Sequence, residues 1–108
     1  MIHIQDGIKH IFPKDFIQIY GKEKIQLIDI REPYELVQLP FAHAINFPLQ
    51  YLLSKESALL DKQQMYYIIC HHGQRSYVVT EILTNKGYNV VNVVGGIDLV
   101  NRFDTLKR

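Results

Sequence analysis

Three short runs of this chain are apolar almost without interruption: Ile25-Gln-Leu-Ile-Asp-Ile30, Tyr66-Tyr-Ile-Ile-Cys70 and Val90-Val-Asn-Val-Val94. A strand with one wet face alternates apolar and polar residues, whereas a strand covered on both faces does not. The runs predict a sheet buried on both sides, the usual setting of parallel strands. A shorter run, Ala44-Ile-Asn-Phe47, stops at Pro48 and is read as a fourth strand. The intervening segments carry helical signals. Pro13 suits the first turn of a helix reaching about Tyr20, with Gly21 behind it. Pro33 opens a short helix over 32–39, and 49–60 reads as another, with Ser54 as an internal cap. Over 76–86, Val78, Val79, Ile82 and Leu83 share one face, and Gly87 follows as a terminator. A last helix is expected from Asp98 to about Leu106. Strands alternating with helices in this way predict an α/β domain with right-handed crossovers.

With 108 residues and no internal repeat, the chain is expected to form one domain over 1–108. Twelve Lys and Arg against eleven Asp and Glu leave a formal charge of +1, too little to gather nucleic acid. The seven Tyr and five Phe lack the basic interleaving of a base-stacking platform. One cysteine excludes an intrachain disulfide, so core packing must hold the fold. No apolar run approaches the roughly 20 residues that span a bilayer. The start, Met1-Ile-His-Ile-Gln-Asp-Gly7, lacks the basic and apolar regions of a signal peptide. These features lead us to expect a reduced, cytoplasmic setting with neither membrane nor nucleic acid as partner. Lys107-Arg108 reads as a solvated tail, and Gly95-Gly96 lacks the spacing of a dinucleotide fingerprint, so no cofactor is expected.

Ligands of open α/β sheets bind beyond the carboxyl ends of the strands. Three such ends are chemically marked here: Asp29-Ile-Arg31-Glu32, Cys70-His-His-Gly-Gln-Arg-Ser76 and Val94-Gly95-Gly96. In the second, Cys70 ends a buried strand, and a helix is expected to begin near Ser76. A link this short can turn its N–H groups, from His71 through Ser76, inward around an anion, with the positive end of the helix dipole behind them. Gly73 permits a turn that a side chain would obstruct. A cysteine at this point is expected to act as a thiolate, and Arg75 offers a rigid fork for an oxyanion on a substrate. His71 and His72 beside Cys70 do not complete a four-ligand zinc set, so no metal is expected.

Four segments, Leu27-Ile-Asp-Ile-Arg-Glu-Pro-Tyr-Glu35, Ala44-Ile-Asn-Phe-Pro48, Ile69-Cys-His-His-Gly-Gln-Arg-Ser76 and Gly87-Tyr-Asn-Val-Val-Asn-Val-Val-Gly-Gly-Ile97, together resemble a single-domain rhodanese. The resemblance covers most of the chain between about 25 and 100. It implies a rhodanese-like α/β fold, a mostly parallel sheet flanked by helices, and sulfur transfer through a cysteine persulfide. Cys70 is then the sulfur-carrying nucleophile, His71, His72, Gly73, Gln74, Arg75 and Ser76 belong to the active-site loop, and Asp29, Arg31 and Glu35 support it as ion pairs and caps. Arg31 is also a candidate for substrate binding. Implied partners are a small sulfane-sulfur donor (thiosulfate, polysulfide or persulfide), a thiol or cyanide acceptor, and a protein donor or acceptor.

The six residues from Cys70 to Arg75 match a sulfurtransferase loop. Related phosphatases and arsenate reductases have a loop one residue longer. An alternative from another class is a non-catalytic sulfur-carrier or protein-binding module. Two departures from the family stand out. Leu39-Pro-Phe-Ala-His-Ala44 puts His43 where a Gly is usual, and Val100 stands where Trp is frequent. They are expected to alter a loop and the packing of the last helix, respectively.

Overall fold

A computed structural model describes residues 1–105. Six strands form one sheet: β1 (Ile2–Gln5), β2 (Ile8–Ile11), β3 (Leu27–Asp29), β4 (Ile45–Asn46), β5 (Met65–Ile69) and β6 (Asn89–Val93), in the spatial order β1-β2-β6-β5-β3-β4. Every neighbouring pair is parallel except β1 with β2. The helices are α1 (Pro13–Ile19), α2 (Pro33–Gln38), α3 (Leu49–Ser54), α4 (Glu56–Leu59), α5 (Gln74–Asn85) and α6 (Gly96–Thr105). The expected α/β fold with a mostly parallel, helix-flanked sheet is what forms.

The continuous apolar runs have the predicted cause. Tyr66, Ile68 and Cys70 of β5 and its end face one core, with Leu52 of α3 and Val79 and Leu83 of α5. Tyr67 and Ile69 face the other core, with Phe16 and Ile17 of α1 and Ile97 and Val100 of α6. Strands β3, β5 and β6 therefore feed two cores in alternation, and both of their faces need apolar side chains. Burying a side chain such as Leu52, at 0 % exposure, contributes about 1.5–3 kcal/mol. Val100 is buried in the second core, where it packs the last helix onto the sheet.

Several expectations need correction. The N-terminal segment is a β-hairpin, which the sequence reading did not foresee. Asp6 and Gly7 adopt φ values of +54° and +77°, the two left-handed positions of a tight hairpin turn. The span 49–60 is two helices, broken at Lys55 (φ −131°, ψ 23°). Ser54 does not cap the second: its hydroxyl donates back to the Tyr51 carbonyl oxygen at 3.1 Å. Helix α5 begins at Gln74, two residues before the expected start, and α6 begins at Gly96. The expected end of α6 at Leu106 and the tail Lys107-Arg108 lie outside the described residues. Among the described residues no helix is long and apolar enough to cross a membrane.

A candidate active site at the strand carboxyl ends

Parallel pairing sets Asp29 beside Ile69 and Ile68 beside Asn92, so the ends of β3, β5 and β6 open on the same side of the sheet. Cys70 follows β5 directly and is 1 % exposed. Its neighbours on one side are apolar core residues. On the other side two backbone donors face the sulfur: Gly73 N–H at 3.1 Å and Ser76 N–H at 3.3 Å. The inward ring expected from His71 through Ser76 thus meets the sulfur through two of its amides. Ser76 is the third residue of α5, and the helix has no side-chain cap of the usual kind. The sulfur accepts the N–H that a capping oxygen would take, at the positive end of the helix dipole.

Glycines make this curl. Gly73 has φ +93°, and a Cβ there would stand 2.7 Å from the Gly95 nitrogen. Gly96 has φ +64°, and a Cβ there would stand 2.6 Å from the His71 carbonyl oxygen. That closeness lets α6 hold the loop from below. Ile97 N–H donates to the Cys70 carbonyl oxygen at 2.9 Å, and Asp98 N–H donates to that of His71 at 3.0 Å. The sequence marks Val94-Gly95-Gly96 as a strand end, and the structure adds the clamp that follows it on the loop carbonyls.

Arg75 is engaged differently from the sequence expectation. Its Nη1 and Nη2 each donate to a Glu35 carboxylate oxygen at 2.8 Å, so two prongs of the fork are held within the protein. Arg75 holds the Glu35 carboxyl down at about 2, and Glu35 in turn pushes the guanidinium pKa up. Glu35 also accepts the Glu32 N–H at 2.9 Å, which seats it in the first turn of α2.

Arg31 is completely buried. Its Nε and Nη2 donate to the Asp29 carboxylate at 3.1 and 2.8 Å, and its Nη1 donates to the Glu35 and Leu39 carbonyls at 3.2 and 2.8 Å. A side chain sealed this way fastens β3 to α2 and does not reach a ligand. Asn46 adds a further tie: its Nδ2 donates to the Asp29 and Arg31 carbonyls at 2.9 Å. His71 and His72 stack with ring centroids 3.9 Å apart, and His72 is exposed with Nδ1 3.9 Å from Asp98. Gln74 is exposed beside them. Among the described residues no group of three or more His, Cys, Asp or Glu is placed to hold a metal ion. His43, standing where the resemblance expects Gly, keeps a left-handed backbone at φ +65° and sets its ring edge against Tyr20.

The site also contains residues that sequence reasoning missed. Ser76 Oγ donates to Asn92 Oδ1 at 2.6 Å, and Asn92 lies beside His10. A polar residue inside the apolar run Val90–Val94 was the available signal, because a buried amide needs partners.

The profile of the Rhodanese-like domain matches residues 12–102. "Putative sulfurtransferase YtwF" of Bacillus subtilis is 34 % identical over 80 residues, covering 74 % of this chain and 77 % of that protein. "Adenylyltransferase and sulfurtransferase uba4" of Ogataea parapolymorpha is 35 % identical over 83 residues, covering 74 % of this chain but only 21 % of that much longer protein. Among solved structures, a rhodanese-related protein from Thermoplasma volcanium superposes with a TM-score of 0.76 at 33 % identity, covering 87 % of this chain and 91 % of that one.

Proposed function

This chain belongs to the family of rhodanese-like domains, and from that premise we propose that it is a sulfurtransferase whose sulfur carrier is Cys70. The observation that carries this reading is the pair of N–H donors, from Gly73 and Ser76, aimed at the Cys70 sulfur from the start of α5. Backbone donors fixed in this way stabilise an anionic sulfur without having to reorganise.

The cycle has two displacements. The Cys70 thiolate attacks the terminal sulfur of a donor such as thiosulfate. A new S–S bond forms as the old one breaks, and sulfite leaves with the electron pair. The persulfide anion then rests against the two amides. An acceptor nucleophile, a thiolate or cyanide, next attacks the outer sulfur and releases the Cys70 thiolate. Arg75, held by Glu35, supplies positive charge beside the loop throughout. Since 1 % of Cys70 reaches solvent, donors with a slim terminal sulfur are favoured. Both the compartment, which we take as cytoplasmic, and a protein donor or acceptor belong to this same proposal.

Intact-mass measurement after exposure to thiosulfate tests it. The wild-type chain gains about 32 Da, one sulfur atom, on its only thiol, and subsequent cyanide removes the gain as thiocyanate. Cys70→Ser does neither; transfer by that variant at a near-wild-type rate would defeat the assignment. A second reading draws on the short share of the uba4 relative that this chain spans: a sulfur-carrier or protein-binding module that hands sulfur to a partner. One equivalent of persulfide with no turnover of thiosulfate or polysulfide selects the carrier, and sustained turnover selects the enzyme.

A further inference from the structure

The hydrogen bonds around Ser76 continue past the thiol. Ser76 is fully buried, and its Oγ has three polar neighbours: Asn92 Oδ1 at 2.6 Å, the Gly73 carbonyl oxygen at 3.3 Å and Cys70 Sγ at 3.4 Å. A hydroxyl has one proton, and here the shortest contact is to an atom that only accepts. Ser76 therefore donates to Asn92 and turns a lone pair toward the sulfur. That lone pair accepts the hydrogen of a thiol and repels a thiolate. The amide of Asn92 is fixed in turn. Its Nδ2 lies 3.2 Å from Nδ1 of His10, its register partner on β2. An amide N–H faces that nitrogen only while Nδ1 carries no proton. Protonation of Nδ1 sets donor against donor. The strain is relieved when the amide turns over: its NH2 then donates to Ser76 Oγ, and the hydroxyl proton, freed from Asn92, is shared between the sulfur and the Gly73 carbonyl oxygen.

We propose that His10 and Asn92 are positioning residues for Cys70, which through the Ser76 hydroxyl present the sulfur either with a lone pair or with an O–H donor, according to whether His10 Nδ1 is bare or protonated. This inference rests on Cys70 being the working thiol. The far end of the chain of contacts is open to proton exchange, because His10 and Asn92 line a cavity of about 510 Å³ together with Phe12, His72, Gly73 and Tyr77. Burial pushes the His10 pKa down, so the neutral ring belongs to neutral pH, and the Asn92 N–H facing Nδ1 selects the tautomer that carries its proton on Nε2. The titratable groups around His10 are His3, its cross-strand partner on β1, Tyr77 of α5, whose ring centroid is 5.4 Å away, and His72 across the cavity. The proton that His10 takes comes from solvent, and the proton that the thiol loses returns to it.

Because the chain has one cysteine, alkylation by iodoacetamide, read by intact mass, reports Cys70 alone. Rates are measured from about pH 5 to about pH 9, across the ordinary ranges of His and Cys. The variants are Asn92→Asp and His10→Gln, each with Ser76 intact and in a Ser76→Ala background. The carboxylate of Asn92→Asp only accepts, so it holds the hydroxyl proton across the whole range as wild type does near neutral pH, and the variant lacks the wild-type inflection on the acid side. His10→Gln retains an acceptor for Asn92 but cannot titrate; it alkylates like wild type near neutral pH and lacks the wild-type inflection on the acid side. Both effects vanish in the Ser76→Ala background. Wild-type profiles in both variants, or effects that persist without the Ser76 hydroxyl, overturn the proposal. Should Asn92→Asp fail to fold, His10→Gln in the two backgrounds decides alone. Alkylation needs no sulfur donor, so the two readings fail separately. The predicted pattern without any persulfide gain removes sulfur transfer, and persulfide gain without the pattern removes the relay.

Discussion

Replacing Glu35 by Gln tests whether the Glu35–Arg75 pair holds the Cys70–Arg75 loop against α2. Two parallel N–H···O contacts of 2.8 Å join the side chains, and the Glu35 carboxyl lies near 2 in place of its ordinary 4.5. At about 1.4 kcal/mol per pH unit, such a displacement corresponds to a ceiling of about 3 kcal/mol of folding stability. Arg75 is 39 % exposed, so solvent screens the pair, and about 1–2 kcal/mol is the better expectation. The sign follows from the lowered pKa. The stabilisation is complete above the unfolded-state value near 4.5 and is lost as pH falls toward 2. Urea unfolding at neutral pH, and at several points below about pH 5, measures it. At neutral pH Glu35→Gln is expected to be about 1–2 kcal/mol less stable than wild type, because the amide keeps one acceptor and no charge. The gap between the two proteins narrows as the pH drops, since wild type loses what the variant lacks. A gap that stays constant from neutral pH to about pH 2.5 refutes the argument, because it would mean that ionisation of Glu35 contributes nothing to the fold.

Two further substitutions probe the supports on either side of the loop. Gly96→Ala places a methyl 2.6 Å from the His71 carbonyl oxygen at φ +64°, so the α6 clamp must retreat. With about 1–2 kcal/mol for the left-handed backbone alone, a total loss of about 2–4 kcal/mol in urea unfolding is expected, together with slower sulfur transfer; unchanged stability and transfer contradict the clamp. Arg31→Met leaves the Asp29 carboxylate buried without its partner, at a cost of about 3–5 kcal/mol. The double variant Asp29→Asn with Arg31→Met recovers part of that loss, and simple additivity of the two changes argues against a coupled pair.

What the sequence revealed and what it withheld divide along a physical line. The strands could be read because double-sided burial writes itself into consecutive residues: Tyr66 through Cys70 is apolar because both cores need it. The loop could be read because its parts are contiguous, with a thiol at a strand end, a glycine where φ must be positive, and a helix start just beyond. The N-terminal hairpin carries a local signal of the same kind, Asp6-Gly7 directly after the alternation Ile2-His3-Ile4-Gln5. The arginines show where local reading stops. Arg31 and Arg75 are equivalent as letters, yet one is sealed against Asp29 and the other clasps a carboxylate forty positions away. Which does which depends on where α2 lands relative to α5, a tertiary fact with no periodicity of its own. His10 and Asn92 lie further from legibility still, separated by 82 positions and joined only because β2 pairs with β6 in one register. A shift of that register by one residue would turn His10 to the opposite face of the sheet and break the contact. The groups that tune the sulfur are therefore those whose meaning is carried by strand pairing, and a substitution that slips β2 should alter the reactivity of Cys70 without touching any residue of its loop.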